Sequence, residues 1–139
     1  EAERVDGAAA KHDIAVPVTD MPGFITRTAP LVEARFPGAR VLAFGHLGDG
    51  NVHFNVRAPD GGAPGWLAAN MAAINRFVHG AVIDAGGTLS AEHGIGQAKR
   101  DDFLALTDPV RLAAMVAIKR ALDPDGLFNP GKLLPPACA

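Results

Sequence analysis

The chain contains one cysteine, Cys138, among its 139 residues, and this excludes an internal disulfide. Because disulfides belong mainly to oxidising compartments, we expect a reducing, cytoplasmic environment. No apolar run reaches the ~18 residues that a membrane-spanning helix needs, and no secretory signal pattern is present. The net charge of −2, without a basic block, gives no reason to expect nucleic acid or an anionic membrane as a partner.

The chain also lacks the glycine fingerprints of nucleotide sites, both Gly-x-Gly-x-x-Gly and the Walker-type phosphate loop. Its composition is nevertheless that of a folded domain, with 48% hydrophobic residues and a mean hydropathy of +0.13. No repeat, low-complexity tract or linker divides the sequence. We therefore predict a single domain over residues 1–139.

Hydrophobic periodicity and turn signals predict alternating strands and helices. Strands are expected over about 11–17, 40–47, 51–57 and 87–91, and helices over about 20–36, 64–84, 97–104 and from Asp108 onward. Leu122 is expected to face inward on the last helix. His79 lies off the apolar stripe of the helix over 64–84 and is expected to be solvated. This pattern predicts an α+β fold, with helices packed on one face of a mostly antiparallel sheet.

Two histidines flank a glycine-rich turn in the run from Phe44 to Asn55. Asp49-Gly50 favours a two-residue type I′ hairpin turn, which needs positive φ at both central positions. A turn there places His46 directly opposite His53, with Cβ atoms about 4.5–5.5 Å apart on the polar face of the hairpin. Two imidazoles at that spacing could share a metal ion. The alternative is that both are ordinary polar residues on a solvated face.

A second motif, SAEHGIG, spans residues 90–96. In an extended segment, Glu92 and His93 point to opposite sides, so that one can serve a metal while the other reaches a substrate. The alternative is a strand end followed by a glycine turn, with an incidental charged pair.

A third motif covers residues 122–134 and contains three turn signals, of which Asn129-Pro130-Gly131 is the last. These signals predict an ordered, non-helical tail. The alternative is that the segment only caps the preceding helix and packs Leu127 and Phe128.

Together, GHLGDGNVHFN, SAEHGIG and LDPDGLFNPGKLL resemble the C-terminal cap domain of FAD-linked oxidases. This family includes the D-lactate, glycolate and D-2-hydroxyglutarate dehydrogenases of the vanillyl-alcohol-oxidase superfamily. The resemblance runs from about Lys11 to Leu134 and implies a ferredoxin-like sheet. In the family an FAD-binding domain lies N-terminal to this region. We therefore expect the chain to be part of a larger flavoprotein and to be inactive alone.

The resemblance implies three ligands for a divalent metal, commonly zinc or manganese: His46, His53 and Glu92. It implies that His93 is the catalytic base beside the substrate. A metal held by two imidazoles and a carboxylate keeps open positions for a 2-hydroxy acid, whose hydroxyl it would acidify.

Three further residues receive roles from the resemblance. Lys11 matches a lysine that contacts the substrate carboxylate, Asn55 a polar residue near the substrate, and Asn129 a tail residue that approaches the flavin. His12 stands where the family usually has tyrosine, and contacts of that side chain do not carry over.

Two other functions are compatible with the residues. One is a stand-alone metal-binding or interaction module that docks partners on its sheet. The other is a metal hydrolase in which Glu92 or His93 activates a metal-bound water, although the helical HExxH pattern is absent. The sequence leaves the hydroxy acid, the electron acceptor and the oligomeric state open, a homo-oligomer included.

Overall fold

The structure is a computed structural model that describes residues 9–134, so Cys138 lies outside the described residues. The chain divides into two compact units, one ending at His93 and one beginning at Gly94. Each unit is described by itself, and the single domain over 1–139 stays a prediction. Among the described residues, no helix is both long and apolar enough to cross a membrane.

The first unit contains three antiparallel strands in the order β1-β3-β2. Their bounds are β1 Ala9–Ala15, β2 Arg40–His46 and β3 Asn51–Arg57. Two helices accompany them, α1 Met21–Arg35 and α2 Trp66–Asp84. The predicted α+β class is confirmed, whereas the ferredoxin-like arrangement stays a prediction.

The core of this unit lies on the apolar face of the central strand. Val52, Phe54 and Val56 alternate along β3 and are fully buried. Phe24 of α1 packs edge-to-face on Phe54, with ring centroids 6.1 Å apart. Removing this apolar surface from water is the main stabilising term that the unit gains on folding.

A buried histidine pair joins β1 to α2 on the same face of the sheet. His12 Nδ1 lies 2.8 Å from the Phe54 carbonyl oxygen, and its Nε2 lies 3.0 Å from Asn75 Oδ1. His79 packs edge-on against the His12 ring and is buried, so the expectation of a solvated His79 is wrong. Although His79 lies off the apolar stripe of α2, its ring still reaches the sheet, because it packs against the His12 ring.

The register of the β2–β3 hairpin differs from the predicted one by two residues. Phe44 pairs with His53 and His46 pairs with Asn51. The cause is the connection, because a 3-10 turn over Leu47–Asp49 followed by left-handed Gly50 replaces the expected two-residue turn. A shift of two preserves the alternation of faces, so His46 and His53 still share one face. They are diagonal neighbours instead of direct partners.

The strand predicted over 87–91 is reduced to a single bridge. Thr88 exchanges two backbone hydrogen bonds with Ala15, at 2.8 and 3.1 Å. Beyond this bridge the chain leaves the ladder, and hydrogen bonds to the backbone carbonyl and side chain of Asp13 hold the following residues.

The second unit contains helices α3 Arg100–Leu106 and α4 Pro109–Leu122. As predicted, Asp108 caps α4, accepting hydrogen bonds from the backbone N–H of Val110 and Arg111. The prediction that Leu122 faces inward is wrong, since this side chain is 78% exposed. The apolar residues of α4 are spaced as a stripe along the helix, but none of the residues of α4 is fully buried in the part of the chain that the structure describes.

The tail after α4 is ordered and non-helical, as predicted, and Asp123 organises it. This buried carboxylate accepts hydrogen bonds from the backbone N–H of Leu127 and Phe128, at 2.9 and 3.0 Å. It also accepts a hydrogen bond from the Lys119 ammonium, which donates in addition to the Phe128 carbonyl oxygen. Leu127 and Phe128 themselves are exposed, so the tail does not bury them.

Gly50 provides a test of the hairpin connection. Its φ is +67°, and an added Cβ would lie 2.1 Å from the Val16 carbonyl oxygen. We expect Gly50→Ala to lower the free energy of unfolding by about 2 kcal/mol or more, since strain and overlap add. Gly48→Ala is the matched control, because nothing lies within 4 Å of its Cβ position. Urea unfolding that gives equal midpoints for the two variants would refute this turn geometry.

Asp123 gives the tail a pH dependence with a definite sign. The hydrogen bond from Lys119 and those from the Phe128 and Leu127 amides lower the pKa of Asp123 below its usual 3.8, against an opposing effect of burial. The carboxylate therefore stabilises the tail above pH 3.8, and this contribution is lost as the pH falls through the lowered folded pKa. We therefore expect the protection of the Leu127 and Phe128 amides, measured as the exchange rate relative to the intrinsic rate at the same pH, to fall in acid.

Asp123→Asn should show the same loss of protection already at neutral pH, because it weakens the acceptor of both amides. Asp125→Asn, an exposed neighbour in the same turn, is the control. Equal protection in wild type and Asp123→Asn at neutral pH would show that the carboxylate does not hold the tail.

Candidate metal and substrate site

The face of the sheet opposite the core carries a continuous set of polar side chains. Antiparallel pairing places Asp13 of β1 beside His53 of β3, and Lys11 beside Asn55 one step further along. Across the other ladder, Phe44 of β2 lies beside His53. Strand alternation thus brings residues from all three strands onto one surface.

The segment from Ser90 to His93 is fastened to this face by Asp13. Asp13 Oδ2 accepts hydrogen bonds from the backbone N–H of Glu92 at 3.0 Å and of His93 at 2.9 Å. Ser90 Oγ donates to the same oxygen at 3.3 Å, and the Ala91 N–H donates to the Asp13 carbonyl at 3.2 Å. The last backbone pairing of the β ladder is at Thr88. Beyond it, the buried Asp13 carboxylate holds the segment in place of a further strand pairing.

Ligand atoms suited to a divalent metal converge beside this anchor. One atom each from Asp13, His53 and Glu92 lie within 4.8 Å of one another. His46 Nε2 lies 3.7 Å from Glu92 Oε1, and the His46 and His53 ring centroids are 6.0 Å apart.

The donor set fits a metal such as zinc or manganese. Bonds of about 2.0–2.2 Å to nitrogen and oxygen place two ligands of one ion at most about 4.4 Å apart. The side chains of His46 and Glu92 are 59% and 50% exposed, so rotation about their side-chain bonds can close the remaining gap. Four donors are therefore available for a site that needs three protein ligands and open positions.

His93 and Phe44 flank the metal donors. The His93 ring is 69% exposed, and its centroid lies 6.5 Å from that of His53. Phe44 stacks at a tilt against His53, with centroids 5.2 Å apart. A small polar molecule at the donors would thus meet an accessible imidazole and an apolar ring.

Six of the seven residues predicted for the site belong to the first unit: Lys11, His46, His53, Asn55, Glu92 and His93. Lys11 is exposed beside the buried Asn55. The seventh, Asn129, belongs to the second unit, where it is exposed with a φ of +47°. The left-handed backbone at this position is one that asparagine tolerates better than most residues.

Sequence reasoning missed Asp13. The available signal was its spacing of two from Lys11, which puts both on one face of a strand. Its importance depends on β1 pairing with β3 next to His53, and no local pattern specifies that pairing.

The chain is similar to known proteins of one family. The profile of the family described as FAD linked oxidases, C-terminal domain, matches residues 1–133. The chain is 37% identical over 123 residues to a protein named D-2-hydroxyglutarate dehydrogenase from Stutzerimonas stutzeri, a match covering 88% of the chain and 26% of the relative. It is 36% identical over 122 residues to one named D-lactate dehydrogenase from Anaerostipes hadrus, covering 87% and 25%.

A third relative, named D-2-hydroxyglutarate dehydrogenase, mitochondrial, comes from Arabidopsis thaliana and is 33% identical over 139 residues, covering 97% of the chain and 23% of the relative. The chain thus spans between 23% and 26% of the length of these relatives. Since the family profile covers nearly its whole length, the chain belongs to the FAD-linked oxidase family and corresponds to its C-terminal domain.

Proposed function

We propose that this chain is the substrate- and metal-binding domain of an FAD-dependent dehydrogenase that oxidises a D-2-hydroxy acid to the 2-oxo acid. The observation that carries the proposal is the convergence of metal donors, an exposed imidazole and a lysine on one face of the first unit. The named substrates of the relatives, D-2-hydroxyglutarate and D-lactate, both belong to this class.

The metal would be held by His46, His53 and Glu92. Nitrogen and carboxylate ligands suit zinc or manganese. Such an ion, when bound, supplies Lewis acidity to the substrate hydroxyl and carboxylate. Glu92 and the two imidazoles would hold the ion beside the exposed ring of His93.

His93 would accept the hydroxyl proton as general base. Its ring is exposed and lies beside the donors, so a substrate bound there comes within its reach. FAD, held mainly by an N-terminal domain, supplies the hydride acceptor. Asn129 in the exposed tail of the second unit would approach it.

Lys11 would bind the substrate carboxylate, and Asn55 would contact the substrate beside it. They are direct neighbours across the β1–β3 ladder, two positions along each strand from Asp13 and His53. An ammonium and an amide give a carboxylate an ion pair and a hydrogen bond at a fixed separation from the metal donors.

The isolated chain would not turn over substrate, because the flavin site lies outside it. We propose the cytoplasm as its compartment, although relatives from Arabidopsis thaliana and Rattus norvegicus carry mitochondrial names.

Two histidine variants separate the proposed base from the metal ligands. In the flavoprotein that carries this chain, we expect His93→Ala to abolish flavin reduction by the hydroxy acid while the protein keeps its metal. His53→Ala should lose both metal and activity, because it removes a ligand. Anaerobic flavin absorbance and elemental analysis measure the two properties.

The control is His79→Asn, which changes a buried histidine on the opposite face of the sheet and should retain metal. Loss of metal in His93→Ala, or normal flavin reduction by it, would overturn the assignment of the base.

Lys11 is tested by the substrate dependence of the rate. We expect Lys11→Met to raise KM for the hydroxy acid at least about tenfold, since a charge-assisted hydrogen bond to the carboxylate is lost. Arg40→Met is the matched control, because Arg40 is another cation on this face of the sheet, paired with Arg57. An equal rise of KM in both variants would show that only the general positive charge matters.

A further inference from the structure

We infer that Asp13 is a positioning residue that holds both Glu92 and His93 in place through their backbone amides, and that it is not itself a metal ligand. The inference rests on the proposed function, because it assigns a role to Asp13 within that site. It concerns a residue that the sequence patterns did not single out.

The geometry shows one oxygen gathering successive donors from one segment. Asp13 Oδ2 accepts from the amides of Glu92 and His93 at 3.0 and 2.9 Å, and from Ser90 Oγ at 3.3 Å. Two adjacent backbone N–H groups aimed at one carboxylate fix the orientation of the peptide between them. The Cα atoms that bear the Glu92 and His93 side chains are thereby fixed relative to β1.

The carboxylate also faces the ring of His93. His93 Nδ1 lies 3.5 Å from the same Oδ2, so the ring edge that carries Nδ1 is turned toward Asp13. With Nδ1 toward the carboxylate, Nε2 is the nitrogen that remains to face a substrate proton. A carboxylate beside one ring nitrogen commonly sets the tautomer of a functional histidine in this way.

Burial makes the anchor strong, and ligation of a metal by Asp13 Oδ2 would have to displace the three hydrogen bonds that this oxygen accepts. Asp13 is 4% exposed, and in such surroundings a carboxylate must be matched by donors that stay in place. Backbone amides cannot rotate away as side chains can, so they hold the carboxylate against the segment. His46, by contrast, is exposed and within 3.7 Å of Glu92, so it can complete the ligand set without disturbing this anchor.

The first test uses wild-type protein and needs no substitution. If Asp13 organises the segment, the amides of Glu92 and His93 are protected from hydrogen exchange before any metal is added. We expect zinc or manganese to change their exchange rates by less than about threefold, because the amides are already bonded. Residue-resolved mass spectrometry on the metal-free flavoprotein measures this. Protection that appears only with metal would overturn the inference.

The second test compares Asp13→Asn with Ser90→Ala. Asp13→Asn should still bind about one equivalent of metal, but kcat should fall about 10–100-fold with KM changed less than about threefold, as for other residues that orient a functional group. Its Glu92 and His93 amides should exchange faster. Ser90→Ala keeps both amide bonds, and its kcat should fall less than about threefold.

The outcomes separate the roles. Loss of metal from Asp13→Asn, with the two amides still protected, would make Asp13 a ligand and overturn the inference. Unchanged kcat in a folded Asp13→Asn would overturn it as well. Protected amides in a wild-type protein that oxidises no 2-hydroxy acid would refute the proposed function and still support the anchor.

Discussion

The site depends on the central strand β3, which is paired on both sides and has two faces of opposite character. Val52, Phe54 and Val56 are sealed in the core, so the strand cannot slip by one residue without exposing them. That constraint fixes His53 and Asn55 on the other face. The apolar burial that stabilises the first unit therefore also determines which face of the sheet carries its polar residues.

The sheet alone does not complete the site, because Glu92 and His93 lie beyond the last bridge at Thr88. Asp13 supplies the connection with its side chain, bonding the amides that a further strand would otherwise have paired. A segment held in this way keeps its side chains exposed while its backbone is fixed. Such an arrangement suits residues that must reach a substrate, since little ordering remains to be done when the substrate binds.

Local patterns in the sequence predicted much of this. The cap at Asp108 and the polar face of the hairpin follow from residue types and spacing alone. The hairpin register does not follow from them. Asp49 ends a 3-10 turn and only Gly50, the next residue, is left-handed, because the turn type is decided by a few local contacts. Asp13 could not be identified either, since its role arises from the pairing of β1 with β3, which is a long-range choice made by the whole core.

The most direct test of the proposed metal site is anomalous diffraction from crystals of the flavoprotein, recorded at the zinc and manganese absorption edges. We expect a single peak on the polar face, about 2.0–2.2 Å from donor atoms of His46, His53 and Glu92. Asp13 Oδ2 should remain on the amides of Glu92 and His93. A metal bound anywhere other than this face would contradict the proposed site.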